Sequence, residues 1–410
     1  MLVVLVAGLA AACAGGDDGV ELVASRQCAP LLYEGEGEPD VIVVSDFPRR
    51  GVGADTTKLM VGAIEFVLRE RRFRAGELRV GYQSCNDTVG DEPFDPSLCR
   101  RNATAYAATE AVVGIVGPWN SGCAQVQIPI LSRRESGPLA TISPSNTYDG
   151  LTRPPASEQL YVDGVRNYVR VVAPDDVQGA GAAHLARRLG ARRAVVLDEK
   201  AEPFYARPLT ASFLELARAL GIDATRLEWP VRKRYADLAT AVAAVHPDVV
   251  YLAGLSEGNA KRLVEDLRTA LPDVQLLGPD GFARSDVARG LGPAGEGMLV
   301  TVAGIPAELL PPTGKEFVRE FGTAVDEPAH SGAPEAAQAT EVLLDAIARS
   351  DGTRASVVEE LFATKVENGI LGSFAFDRFG DIVPAPIGVY RFENGELVPH
   401  DVVRPSTGIG

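Results

Sequence analysis

At 410 residues the chain is longer than one typical core and implies about two domains. Apolar residues make up 46% and charged residues 23%, the balance of a water-soluble globular protein. A net charge of −15 argues against nucleic acid or an anionic lipid surface as a partner.

Residues Leu2 to Ala12 are apolar or glycine and end at Cys13. The run is too short to span a bilayer as a helix but fits the apolar region of a signal peptide. With Cys13, the small residues Ala10-Ala11-Ala12 resemble the lipobox of bacterial lipoproteins. That resemblance implies lipidation of Cys13, with residues 1–13 as the signal region. It also implies an extracytoplasmic location in which only the lipid anchor touches the membrane. Residues 14–39 are rich in Gly, Asp and Glu without periodicity and read as a flexible tether. If Cys13 is lipidated, Cys28, Cys85, Cys99 and Cys123 remain. An even number in an exported chain points to two disulfides, with three connectivities open.

Order begins with a buried strand over Asp40 to Asp46. Thr56 to Arg72 follows, with Leu59, Met60, Ala63, Ile64, Val67 and Leu68 at helical spacing. Next come strand Leu78 to Tyr82, helix Asp95 to Thr109, strand Val112 to Gly117, helix Ser121 to Arg134 and strand Leu139 to Ser143. This alternation predicts an α/β fold with a parallel, doubly wound sheet. Two of the strands run into hydroxyl-rich loops, Pro118-Trp119-Asn120-Ser121-Gly122 and Ser143-Pro144-Ser145-Asn146-Thr147. Ligands of such sheets bind beyond the carboxyl ends of the strands, and a helix start offers free N–H groups to an anion. The two loops therefore suggest a carboxylate clamp. With no nucleophile–base pair beside them, they point to a binding protein rather than an enzyme.

After the Pro-containing stretch Gly150 to Asp163, the alternation resumes. Helices are expected over Gln178 to Leu189, Leu209 to Leu220, Tyr235 to Val245 and Asn259 to Thr269. Strands are expected over Arg193 to Leu197, Asp223 to Trp229, Asp248 to Ala253, Val274 to Leu277 and Gly297 to Val302. Gly314 to Ala363 reads as helices needing a sheet to cover, and the first sheet is available. Strand-like pieces follow at Gly372 to Phe376 and Pro386 to Phe392, and Asn394-Gly395 is a hairpin signal. Two lobes joined by several crossings fit this order.

In this order the elements resemble the type I periplasmic binding proteins of ABC importers, especially the leucine/isoleucine/valine-binding proteins. The resemblance spans about Asp40 to Val403. It is carried by Val112 to Gly117 with Asn120-Ser121, by Ile142 to Thr147, by Leu277-Gly278-Pro279-Asp280-Gly281 and by Gly297 to Val300. The stretch Gly372 to Asp377 with Gly380-Asp381 adds the family's C-terminal signature. The resemblance implies two lobes, 40–168 with 304–371 and 169–303 with 372–405, joined by three crossovers and closing on a ligand. It places the ligand's carboxylate on Ser121, Ser145 and Thr147, with Asn120 adjacent, an aromatic contact on Tyr205, and the α-ammonium on Asp280. It implies an amino-acid-like solute, an ABC permease as partner, a monomer and no cofactor. Where the family carries aromatic residues, this chain has Pro48-Arg49-Arg50-Gly51 and Leu255-Ser256, which leaves a polar or acidic side chain open.

Other chemistries have less footing. Gly254-Leu255-Ser256-Glu257-Gly258 matches a serine nucleophile elbow, with Asp280 and His330 following in hydrolase order, but no oxyanion loop precedes it. The histidines His184, His246, His330 and His400 show no metal-ligand spacing. Gly179-Ala180-Gly181 lacks the third glycine of a dinucleotide loop. A ligand sensor serving a signalling partner would use the same lobes.

Overall fold

The computed structural model describes residues 19–133, 137–161, 165–257, 259–328 and 332–405. The apolar leader with Cys13, and His330, lie outside the described residues.

Strand Val41–Phe47 is buried along its whole length, as a continuous apolar run in a parallel sheet should be. Its side chains alternate between faces. Val41 and Val43 join the core formed with Leu59, Ile64 and Leu343 of the helices Ala54–Glu70 and Ala333–Arg349. Ile42 and Val44 join Ala103, Tyr106 and Leu131 of the helices Pro96–Ala108 and Ser121–Leu131. Full burial of a side chain such as Leu343 contributes about 1.5–3 kcal/mol.

The sheet reads, in spatial order, Arg74–Ala75, Leu78–Asn86, Val41–Phe47, Val112–Val116, Ala140–Ser143 and Tyr168–Arg170. All neighbours are parallel except Arg74–Ala75. A second sheet reads Glu396–Val403, Ile387–Glu393, Leu299–Val302, Gln275–Gly278, Val249–Ala253, Arg193–Glu199 and Asp223–Trp229. Its last five strands are parallel, and the C-terminal hairpin adds two antiparallel ones. Each set of five parallel strands follows the order 2-1-3-4-5, so each sheet has a switch point between its first and third strands.

The chain passes between the sheets three times, at Val171–Pro174, at Ala303–Pro311 and at Pro384–Pro386. These passes run side by side: Ala173 N–H donates to Ala303 (3.0 Å) and Gly388 N–H to Gly304 (2.6 Å). A third, small sheet, Lys365–Gly369, Gly372–Phe376 and Ile382–Val383, precedes the last pass.

Several expectations gain a physical reason. Gly179 lets helix Asp175–Arg188 pack closely on Pro203–Ala219, because a Cβ there would strike Ser212 and the Leu209 carbonyl. The turn at Asn394-Gly395 has positive φ at both residues (53° and 78°), and Glu393 pairs with Glu396 across it. The two disulfides are Cys28–Cys85 and Cys99–Cys123. The expectation of a free tether over 14–39 needs correction after residue 22. Ala29 N–H donates to Ser84 (2.8 Å), Leu32 and Tyr82 exchange backbone bonds, and Cys28 is bonded to Cys85, so this stretch docks on the first sheet.

Candidate functional site

The two hydroxyl-rich loops lie side by side because their strands, Val112–Val116 and Ala140–Ser143, are neighbours. Gly117 makes the turn out of its strand at φ 133°, and a Cβ there would press on the Asp46 carbonyl at 3.1 Å. The Ser143 hydroxyl donates to the Pro118 carbonyl (3.0 Å) and accepts from the N–H groups of Ser145 and Asn146. Ser145 Oγ and Asn146 Nδ2 both donate to the Trp119 carbonyl at 2.8 Å. The loops are therefore bonded into one rim before any solute arrives.

The predicted rim residues divide the work. The Asn120 side chain accepts from Gly122 N–H at 2.7 Å, so it caps the following helix. Ser121 Oγ accepts a long bond from Tyr148 N–H (3.4 Å). The Thr147 carbonyl accepts from Asp175 N–H (2.8 Å), which fixes the rim to the start of helix Asp175–Arg188. Ser121, Ser145 and Thr147 are each half-buried, within reach of solvent.

Across from the rim, the loop after Gln275–Gly278 carries Asp280, and helix Pro203–Ala219 carries Tyr205. Tyr205 OH donates to Asp280 Oδ1 (2.5 Å) and accepts from Gly281 N–H (3.1 Å). Leu255 sits against this loop, where a Cβ on Gly281 would meet it at 2.7 Å. Burial raises the Asp280 pKa above 3.8, although hydrogen bonds from Tyr205 and Gln178 oppose it. Burial also lifts Asp175 well above 3.8, with the Asp280 charge adding to the effect and Thr147 working against it. Asp175 opens the helix that adjoins the rim, through its N–H bond to the Thr147 carbonyl. Asp175 Oδ1, Gln178 Oε1 and Tyr251 OH are buried without hydrogen-bond partners. Tyr148 of the rim meets Phe204 edge-on, with ring centroids 6.4 Å apart.

Arg170, fully buried, holds the arrangement from behind. It donates to the carbonyls of Asn146 (3.1 Å) and Tyr148 (2.8 Å), to Thr152, and to Asp381 (2.7 Å). Gly380, beside Asp381, accepts from Arg170 N–H at φ 96°, where a side chain would collide with Tyr168. The C-terminal signature Gly380-Asp381 is thus the partner of the segment that supports the rim.

Sequence reasoning missed Asp175, Gln178, Tyr148, Phe204 and Arg170. Asp175 carried a signal, an acid opening a helix after Pro174, but that reads as ordinary helix-dipole chemistry. Ser256, the nucleophile candidate, bonds to Glu257 (3.2 Å), and Leu255 N–H to Glu199 (2.6 Å); His330 lies outside the described residues. A surface hollow of about 640 Å³ lies elsewhere, lined by Lys315, Arg319, Asp326 and Glu327, and shares no residue with these loops.

The sequence profile of a family described as periplasmic binding protein matches residues 48–396. A comparison with curated proteins finds no match. Among solved structures, the leucine-binding protein LivK of Thermotoga maritima is 22% identical, covering 89% of this chain and 99% of its own, with a TM-score of 0.71. A substrate-binding protein from Desulfitobacterium hafniense in complex with Leu is 19% identical, over 88% of this chain and 99% of its own, with a TM-score of 0.72. A solute-binding protein from R. palustris in complex with benzoate is 19% identical, over 89% of this chain and 96% of its own, with a TM-score of 0.67.

Proposed function

The chain belongs to the periplasmic binding protein family, and from that premise we propose that it captures an amino acid or related small carboxylate and delivers it to an ABC permease. Capture occurs between two lobes, one built on each large sheet, with the chain passing between them at residues 171–174, 303–311 and 384–386. Lipidated Cys13 anchors the protein outside the cytoplasmic membrane.

The observation that carries the choice of solute is the polarity of the site. One side presents the Ser121 and Thr147 hydroxyls, with Ser145 beside them already donating to the Trp119 carbonyl; the other holds the acids Asp175 and Asp280 beside Tyr205. A zwitterion matches both poles. Its ammonium relieves the Asp175–Asp280 repulsion, while its carboxylate takes the donors. Hydrogen bonds to charged groups are worth about 1.5–3 kcal/mol each. Four or five of them, less ordering costs, reach the roughly −8 kcal/mol of micromolar binding. An aromatic carboxylate such as benzoate, bound by the R. palustris protein, satisfies only the donor pole and leaves the two acids facing an apolar ring.

Closure follows from the same polarity. A ligand shifts an open–closed equilibrium only by binding the closed form better, and contacts on both sides supply that difference. The test is a thermal-shift panel of amino acids, amides and simple carboxylates. An upward shift confined to α-amino acids supports the reading; shifts with carboxylates lacking an amine overturn it.

A further inference from the structure

The crossings fix which side of the cleft is its mouth. In the first sheet Tyr168–Arg170 leads into a crossing at one edge, and Val41–Phe47 and Leu78–Asn86 lie toward the other. In the second sheet Leu299–Val302 leads into a crossing, and Asp223–Trp229 is the edge strand on the far side. The loops after Val41–Phe47 and after Asp223–Trp229 are therefore lips of the mouth, at the carboxyl ends of their strands. The second lip reads Val231-Arg232-Lys233-Arg234, and all four side chains are exposed, Val231 by 57%. None of the three cationic heads has a hydrogen bond or ion pair among the described residues, whereas nearby Lys200 and Arg226 pair with Glu228 and Asp198. The loop backbone is fastened from below. Arg232 N–H donates to Tyr235 OH (3.0 Å), the Arg232 carbonyl accepts from Asn259 Nδ2 (2.7 Å), and Tyr235 N–H donates to Asp266 (2.7 Å). The three cations precede helix Ala236–Ala244, at the positive end of its dipole, where cations are disfavoured. Asp237 in its first turn suits that dipole and pairs with none of them. The first lip carries exposed Arg49, Arg50 and Val52, but exposed Asp91 and Glu92 stand on the adjoining loop, against which Gly51 packs. The excess positive charge is on the second lobe.

From this geometry we infer that Val231 to Arg234 is a docking surface for an acidic protein face. The inference rests on the delivery reading above, under which that face belongs to the permease. A solute leaves a two-lobed cleft only through its mouth, so the receiver must abut the lips. Local forces do not account for the cluster: its charges are unpaired, repel one another and oppose a helix dipole. A surface of opposite sign relieves all three. Val231 and Val52 add apolar area that the contact covers. The fastened backbone confines the ordering cost to side chains. The rest of the chain sharpens the choice of partner. With a net charge of −15, an acidic partner is repelled elsewhere and attracted here, so the lip sets the orientation of approach. A broad anionic lipid surface would meet the acidic remainder as well, whereas a protein face need cover only the mouth.

The test uses the full chain and the permease complex encoded with it, held in lipid nanodiscs. Combining Arg232→Glu, Lys233→Glu and Arg234→Glu should leave solute affinity in calorimetry unchanged and should not lower the melting temperature. Docking of this variant on the nanodiscs should weaken by roughly tenfold or more, and rising salt should weaken the wild type but not the variant. Should the variant lose its fold, Arg232→Gln with Arg234→Gln makes the same comparison. Undiminished docking by the variant, or no docking by the wild type, overturns the inference. Two other results overturn it as well. Slower solute association in the variant with docking intact would make the lip a funnel for anionic solutes. Binding of the wild type to phosphatidylglycerol vesicles, lost in the variant, would make it a lipid contact. If the solute reading alone fails, the amino-acid panel gives no thermal shift while salt-sensitive docking persists, which supports the inference.

Discussion

Asp381 and Asp87 are both sealed from solvent. Burial alone would raise either pKa. At Asp381 the guanidiniums of Arg170 and Arg153 outweigh burial and hold the carboxyl below its ordinary 3.8. At Asp87 no guanidinium offsets burial, its own backbone N–H lowers the pKa only against the larger burial effect, and the neighbouring Asp46 pushes the carboxyl further above 3.8. Depth is the same at the two positions; the partner decides the charge state. The proposed solute site lies between these cases. Asp280 is raised by burial but accepts a hydrogen bond from Tyr205, so a cationic guest would complete what the fold supplies only in part.

The largest expected effect comes from breaking the paired acid. Asp381→Ala leaves Arg170 buried and uncompensated and should cost about 3–5 kcal/mol in urea unfolding. A loss below about 1 kcal/mol would mean that the pair matters little. Next is Asp280→Ala, which removes the acceptor for the ammonium. It should weaken amino-acid binding by about 1.5–3 kcal/mol, more than tenfold in calorimetry, while urea stability changes little.

Titration sharpens the contrast, because the two acids contribute with opposite sign. Asp381, with its lowered pKa, adds stability that is present above pH 3.8 and fades as pH falls through its folded value. Asp46 and Asp87, with raised pKa values, hold their protons more tightly when folded. They should erode stability as pH rises above 3.8, and Asp87→Asn should flatten that decline. An unchanged pH profile in this variant would refute the assignment. The smallest effect belongs to Asn120→Ala, which loses a helix cap worth about 1 kcal/mol. Because the cap also sets the start of the helix behind Ser121, solute affinity should fall modestly with it.

How much of this was legible depended on how local the cause was. Val41 to Val44 and Val112 to Val116 are continuous apolar runs, and a fully buried parallel strand needs little more. The strand Glu396–Val403 carries Pro399 and no apolar alternation; its pairing is imposed by the Asn394-Gly395 turn and by its place at the sheet edge. Arg74–Ala75 and Lys365–Gly369 are short edge strands, which tertiary pairing creates. Helix Ser285–Leu291 is too brief to show a period. At the site, the hydroxyl loops were visible as motifs, whereas Tyr205 and Asp280 were named separately and only through the family resemblance; the fold brings each set together. Arg170 and Asp381 are 211 residues apart, so nothing in either segment announces the other. Ser143 looked like one more rim hydroxyl, yet its work is to bind the two loops together.

The central claim is that the site reads both ends of a zwitterion. Calorimetric titration with the amino acid giving the greatest thermal shift, and then with the same molecule lacking its amine, tests this most directly. The account predicts binding near the micromolar range for the first and an affinity at least roughly tenfold weaker for the second. Equal or tighter binding of the deaminated compound would contradict it.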